Sequence, residues 1–231
     1  MKKILLGAFV FLMLLALIFW SSPLIFLKFF SKEGSINNSS LENQNNQNKQ
    51  PNMDGFKKIL MVVAFSNFRD EEYFEPKKIF EKNGFLVETI SNRTGKAIST
   101  DQNTVDISKT PADIDPDEYL AIVFVGGPGM VKELDNASFQ RLAKEFYNRN
   151  KLVAAICIAP ALLAKAGILE NKRATVWSSS ADQSALKIFE EKGVIYEDKP
   201  VVRDGFLITA NGPQAAQDFG EAIVNYLNAN F

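Results

Sequence analysis

Apolar and polar positions divide this chain into three stretches of different character. Residues 4–27 are apolar almost without interruption, and residues 35–54 carry almost nothing that could be buried. From about residue 57 short apolar runs alternate with amphipathic stretches, the signature of buried strands exchanging with surface helices. The pattern predicts strands over 58–65, 85–90, 104–107, 120–125, 153–156 and 174–177, with two more across 201–210 that turn at Asp204-Gly205. Helices are predicted over 71–83 (closed by Gly84), 137–149, from Pro160 to a stop at Gly167, 181–192 (ended by Gly193) and 213–228. Phe74 and Phe80 in the first helix read as packing residues, and there is no internal repeat. Buried strands alternating with helices imply an α/β fold, with an open, mostly parallel sheet covered on both faces by right-handed crossovers.

The first two stretches set the expected domain organisation. Residues 4–20 carry no charge, and after Ser21-Ser22-Pro23 the apolar run resumes at Leu24. About 20 apolar residues suffice to cross a bilayer. A cleavable signal would end in small residues, whereas this run exits through Phe19-Trp20-Ser21-Ser22-Pro23 into more Leu, Ile and Phe. Residues 1–32 are therefore expected to be a single transmembrane helix of the signal-anchor kind. Lys2 and Lys3 favour an inside N-terminus and Lys28 and Lys32 nearly cancel them; the very short N-terminal tail then places the remainder outside the cytoplasm. Residues 33–56, rich in Asn and Gln, are expected to be a disordered linker reaching roughly 25 Å. Residues 57–231 form the folded domain.

Charge excludes some functions. There are 26 Lys and Arg against 27 Asp and Glu, with no basic stripe, so nucleic acid is not an expected partner. The chain has one cysteine and no histidine. Cys157 stands between the strand 153–156 and a helix with Pro160 in its first turn, and a side chain at such a corner points out over the sheet edge. The N–H groups and partial positive charge of that helix start predict a thiol with a lowered pKa. Chemistry in open sheets gathers beyond the carboxyl ends of the strands. Three segments meet that condition: 66–76 with Asp70, Glu71, Glu72 and Glu75; the loop Gly126-Gly127-Pro128-Gly129; and the Cys157 corner. Trp177 and Ser178-Ser179-Ser180 are candidates for the wall of the same cleft, with core packing the commoner role of such a Trp.

Glu72 four residues before Pro76, the Gly126-Gly127 pair after a middle strand, and Ala155-Ile156-Cys157-x-x-Pro160 together resemble the PfpI family. This is the superfamily of the parkinsonism-associated deglycase, built on the class I glutamine-amidotransferase-like fold. The resemblance covers about residues 57–231 and implies a flavodoxin-like three-layer sandwich with Cys157 on a nucleophile elbow. It implies that Glu72 is a protonated carboxyl donating to the thiolate, and that Gly127 and Ile158 supply backbone N–H groups to an oxyanion site. It also implies glyoxalase, deglycase, peptidase or chaperone activities, or oxidative-stress sensing through cysteine sulfinate.

The chain departs from that pattern. Ile158 and Trp177 stand where branches of the family carry a histidine, so no imidazole can activate the thiol. A general base contributes typically 10²–10⁴-fold. The expected function is thus a membrane-tethered, thiol-based stress or redox response with weak or absent hydrolase activity. The alternative is a glyoxalase-like or deglycase-like enzyme using Cys157 and Glu72 on small reactive aldehydes; a structural remnant of the fold is the third outcome. No cofactor and no metal are expected. The expected partners are the membrane and a small aldehyde or an oxidant, with a homodimer left open.

Overall fold

A computed structural model describes residues 57–231. The anchor and linker expected over 1–32 and 33–56 lie outside the described residues, and among the described residues no helix is long and apolar enough to cross a membrane.

In chain order the elements are β1 (Lys58–Val62), β2 (Ser66–Phe68), α1 (Asp70–Lys82), β3 (Leu86–Ile90), β4 (Gly95–Ser99), β5 (Thr104–Ile107), β6 (Ala121–Phe124), α2 (Pro128–Val131), α3 (Ala137–Asn148), β7 (Leu152–Ile156), α4 (Pro160–Lys165), β8 (Arg173–Ala174), α5 (Ser184–Glu191), β9 (Ile195–Tyr196), β10 (Val201–Asp204), β11 (Leu207–Ala210) and α6 (Ala216–Asn230). The main sheet runs β10-β11-β7-β6-β1-β3, parallel except for the antiparallel β10–β11 hairpin. The expected α/β class with a mostly parallel sheet is what the chain adopts.

The order explains where a site can form. From β1 the chain crosses through α1 to β3 on one side, then returns past β1 to β6 and continues to β7 and β11. Right-handed crossovers that advance in opposite directions lay their helices on opposite faces of the sheet. Accordingly α1 packs on β3 and against α6, whereas α3 and α4 pack on β6 and β7. The progression reverses between β1 and β6, and a crevice opens beyond the carboxyl ends of strands at such a point. The strands beneath it are buried along nearly their whole length: Ile59 to Val62, Ala121 to Phe124 and Leu152 to Ile156 are all fully enclosed. That burial explains their uninterrupted apolar sequence.

Four expectations need correction. The strand expected over 58–65 stops at Val62, because the chain turns away and Ser66–Phe68 pairs instead with β4 in a separate three-stranded sheet, β2-β4-β5. The strand expected over 174–177 is only two residues long. The Thr175 N–H donates to Thr209 Oγ1 at 2.9 Å and the Trp177 N–H to the Cys157 carbonyl at 2.8 Å, so neither is free for a ladder. The helix expected from residue 181 starts at Ser184, after a turn in which Asp182 accepts from the Ser184 N–H at 2.9 Å and its own N–H donates to Ser179 Oγ at 3.0 Å. Phe80 is fully buried as expected, but Phe74 faces outward and is 37% exposed.

Candidate functional site

The three expected segments converge, and each is held by a local feature of sequence. The first is the N-terminal turn of α1. Arg69 precedes the helix in an extended conformation, and Asp70, Glu71 and Glu72 fill its first turn, where carboxylates suit the helix dipole. Pro76 has no N–H to give to the Glu72 carbonyl four residues earlier, which loosens the helix at the residue whose side chain turns inward. Gly220 lets α6 approach this part of α1 closely: a Cβ there would lie 3.1 Å from the Pro76 Cα. Glu72 is completely buried, while Glu71 beside it points to solvent.

The second segment is the loop after β6. A Cβ on Gly126 would lie 2.6 Å from Glu72 Oε2, 2.7 Å from Cys157 Cβ and 2.8 Å from the Ile156 carbonyl. Gly126 therefore fills the space between the carboxyl and the cysteine, and no larger residue fits without displacing them. Gly127 has φ +104°, and a Cβ there would sit 2.6 Å from the Arg69 N, so only glycine carries the backbone past the start of α1.

The third segment is Cys157 itself. It follows β7 directly with φ +63°, a left-handed conformation that costs a non-glycine residue about 1–2 kcal/mol. Both of its backbone groups are fixed: its N–H donates to the Ala210 carbonyl at 2.8 Å, extending the β7–β11 pairing, and its carbonyl accepts from Trp177. The strain is thereby imposed by neighbours on two sides, and the side chain is turned out of the strand toward Glu72. The N–H groups of Gly127 and Ile158 are directed at its sulfur. Ile158 is itself buried, and Trp177 is partly buried, with its ring edge near Gly212.

The electrostatics differ from what the corner alone suggests. Neither oxygen of Glu72 has a hydrogen bond of ordinary geometry; the Cys157 thiol and the Gly126 N–H face the carboxyl more loosely. Burial pushes Glu72 from its ordinary 4.5 up to about 7, and the thiol, the charge of Arg69 and the Gly126 N–H offset this only in part. The Cys157 thiol is pushed upward rather than lowered. Burial is the largest cause, the facing Glu72 adds to it by charge and by hydrogen bonding, and the two N–H groups recover only part. The expected lowering by the helix is weak for a structural reason. Helix α4 is six residues long and begins with Pro160, which has no N–H to offer. At neutral pH this is a thiol beside a half-ionised carboxyl, two groups that titrate as a pair.

Asp70 was a candidate by position and does not join the site. It faces the β4–β5 hairpin, accepting from Thr100 Oγ1 at 2.9 Å, the Asp101 N–H at 3.0 Å and Asn103 Nδ2 at 2.8 Å. Glu75 is exposed. The sequence pattern does not single out Arg69, whose Nε is buried without a hydrogen-bond partner and whose charge acts on Glu72. It is the sole cation of segment 66–76 before Lys77, and that isolation was the available signal. No group of metal-binding side chains occurs among the described residues.

Comparisons with known proteins bear on the fold and the family. A family model described as the DJ-1/PfpI family matches residues 57–226. An uncharacterized protein of Methanocaldococcus jannaschii is 43% identical over 193 residues, covering 83% of this chain and 92% of its own. The protein named Deglycase PfpI of Pyrococcus furiosus is 28% identical over 156 residues, covering 68% of this chain and 90% of its own. Among solved structures, a ThiJ/PfpI domain protein from Brachyspira murdochii superposes with a TM-score of 0.72 at 36% identity, covering 76% of this chain and 99% of that one.

Proposed function

The chain belongs to the DJ-1/PfpI family, and from that premise we propose that it is a thiol catalyst acting on small reactive carbonyl compounds through Cys157 and Glu72. The observation that carries this reading is the Glu72 carboxyl: fully buried, without a conventional partner, facing the one cysteine, and held at about 7. A carboxyl in that state can both take and return a proton near neutral pH. In a chain without histidine it supplies the general base that an imidazole would otherwise provide.

The thiol proton passes to the Glu72 carboxylate as sulfur attacks the carbonyl carbon. A C–S bond forms, the C=O π bond breaks and its electron pair moves to oxygen. Glu72 then returns the proton to that oxygen, leaving a hemithioacetal on Cys157 and Glu72 again as a carboxylate; Cys157 is free for another cycle only after a later step breaks the C–S bond. The N–H groups of Gly127 and Ile158, already directed at the sulfur, are the donors nearest the developing oxyanion. The similarity to a relative named as a deglycase supports the substrate class. A thiol that is raised rather than lowered also supports addition with concerted proton removal over reactions that need a resting thiolate.

A second reading, oxidation of Cys157 to sulfinate as a stress response, is favoured by the same two N–H groups, which suit oxygens on sulfur. Both readings include a membrane tether through the apolar run 4–27, with the domain on the outer side.

The test follows methylglyoxal consumption by the full-length protein and by Cys157→Ser. Thiol-dependent consumption is expected. Consumption that survives Cys157→Ser ends the catalytic reading. Stoichiometric sulfinate at Cys157 under mild peroxide, without aldehyde turnover, puts the oxidation reading in its place. Release of the full-length protein from membranes by carbonate would remove the tether.

A further inference from the structure

A cavity of about 250 Å³ lies beside the catalytic corner, and neither Glu72 nor Cys157 lines it. Phe65, Ser66 and Asn67 reach it from the turn after β1, Asn92 and Arg93 from the turn after β3, and Lys132 and Glu133 from the end of α2. Segment 66–69 and the loop after β6 cross tightly between this cavity and the thiol: a Cβ on Gly129 would lie 1.8 Å from the Ser66 carbonyl oxygen, and one on Gly127 2.6 Å from the Arg69 N. Open sheets take ligands beyond the carboxyl ends of their strands where the strand order reverses, and the turn after β1 flanks that point. The walls present positive charge. The Arg93 guanidinium carbon sits 4.0 Å from the centre of the Phe65 ring, and a Cβ on Gly95 would lie 3.3 Å from the same ring, so the turn 93–95 closes around it. Stacking of this kind holds a guanidinium in place without using its N–H donors. Neither Arg93 nor Lys132 forms an ion pair among the described residues. The carboxylate in the lining, Glu133, is taken up instead by Asn92 Nδ2 and Asn136 Nδ2, each donating to it at 2.7 Å.

We infer that this cavity is a second ligand site, distinct from the thiol, which binds a small phosphomonoester through its phosphate with Arg93 and Lys132 as the cations. Two unpaired cations face one carboxylate that already has its donors, and this balance selects an anionic group over a neutral one. The guanidinium offers a planar fork to two phosphate oxygens, and the lysine adds a mobile point charge for a third. Clefts for drug-sized ligands run to about 300–1,000 Å³. A smaller cavity admits a phosphate on a body of a few carbons. Binding here makes no covalent bond, and the inference stands independently of the catalytic reading of Cys157.

Calorimetric titration of the full-length protein with glycerol 3-phosphate, inorganic phosphate and glycerol tests the site directly. Glycerol 3-phosphate is expected to bind, more tightly than inorganic phosphate, and glycerol alone is not. Arg93 and Lys132 are both exposed, so replacing them leaves the core intact. Arg93→Gln should raise the Kd for glycerol 3-phosphate about 10-fold or more, Arg93→Lys should recover part of the loss, and Lys132→Gln should weaken binding by a smaller factor. Lys187→Gln removes an exposed lysine of α5 outside the cavity lining and should leave the Kd unchanged, as should Cys157→Ser. No binding of glycerol 3-phosphate at millimolar concentration overturns the inference. Equal losses in Arg93→Gln and Lys187→Gln would reduce the effect to diffuse charge attraction and overturn it as well. Loss in Cys157→Ser with none in Arg93→Gln would place the anion at the catalytic corner instead. Equal affinity for inorganic phosphate and glycerol 3-phosphate would make the ligand free phosphate and end the phosphomonoester assignment.

Discussion

Asp70 and Glu72 stand two residues apart in the first turn of one helix, both buried, and the protein treats them in opposite ways. Burial acts to raise both carboxyls. At Asp70 that cause is outweighed by hydrogen bonds from Ser99, Asn103, Asp101 and Thr100, and the carboxyl is held below its ordinary 3.8. At Glu72 nothing comparable arrives, and burial carries it to about 7. Asp70 faces the β4–β5 hairpin and ties it to α1; Glu72 faces the reversal point of the sheet and is left unpaired beside a thiol. The contrast shows that burial alone does not decide what a carboxylate is for. The supply of donors does, and a helix turn can send neighbouring residues to environments that differ in that supply.

The largest expected effect is on rate. Glu72→Gln keeps shape and hydrogen-bonding capacity but can neither take nor return a proton. It should slow thiol-dependent carbonyl turnover by about 10²–10⁴-fold. Wild-type kcat should also show a limb rising with pH near 7, where Glu72 becomes the carboxylate that accepts the thiol proton, and Glu72→Gln should abolish it. Asp70→Asn should keep that limb. A limb that disappears in both variants would mean the two carboxyls do not divide their roles as described.

The next effect is on stability, and here Asp70 dominates. Asp70→Ala leaves the donors of the hairpin facing a gap and should cost about 3–4 kcal/mol by denaturant titration. The pH dependence follows from the lowered carboxyl: the contribution is fully present above the ordinary value of 3.8 and is lost as pH falls through the lower folded-state value. Wild-type stability should therefore decline in that acid range, and Asp70→Asn should flatten the decline.

Glu72 should behave in the opposite sense and somewhat more weakly. Its folded-state pKa is raised, so its contribution to stability is greatest below 4.5 and is lost as pH rises toward and past 7. Replacing it by Gln removes that loss. Glu72→Gln should be as stable as wild type near pH 4 and more stable by up to about 3 kcal/mol at pH 8. A variant less stable than wild type at pH 8 would mean that an unseen partner stabilises the carboxylate.

Much of this division was legible in the sequence. The apolar runs located every strand of the main sheet and α1, α3 and α6 within a few residues, because those elements are buried on periodic faces. Cys157 could be placed at a strand-to-helix corner, and the Pro76 spacing singled out Glu72 from Glu71. The small sheet was not legible beyond β5: β2 and β4 are short and largely exposed, and nothing in Gly95-Lys96-Ala97-Ile98-Ser99 reads as a buried strand. The direction of the thiol's shift was also out of reach. Sequence reveals the helix after Cys157, but neither the depth of burial nor the carboxyl brought against it from α1, the helix that follows a strand two places away in the sheet. Arg69 was missed for the same reason, since a missing partner is a property of three dimensions.

The smallest effect provides the sharpest control on the comparison. Glu71 lies between the two carboxyls in sequence but faces solvent, and its only bearing on the site is its charge, which adds slightly to the rise at Glu72. Side chains one position apart on a helix point about 100° from each other, so Glu71 cannot reach the thiol that Glu72 faces. Glu71→Gln should change stability by no more than about 0.5 kcal/mol and leave maximal turnover intact. Removing a like charge makes ionisation of Glu72 easier, so the rising limb of the pH profile should move slightly toward lower pH, and the displacement should shrink in high salt as exposed charges are screened. A loss of turnover comparable to that of Glu72→Gln would show that α1 is turned by one residue from the arrangement described, with Glu71 rather than Glu72 at the cysteine.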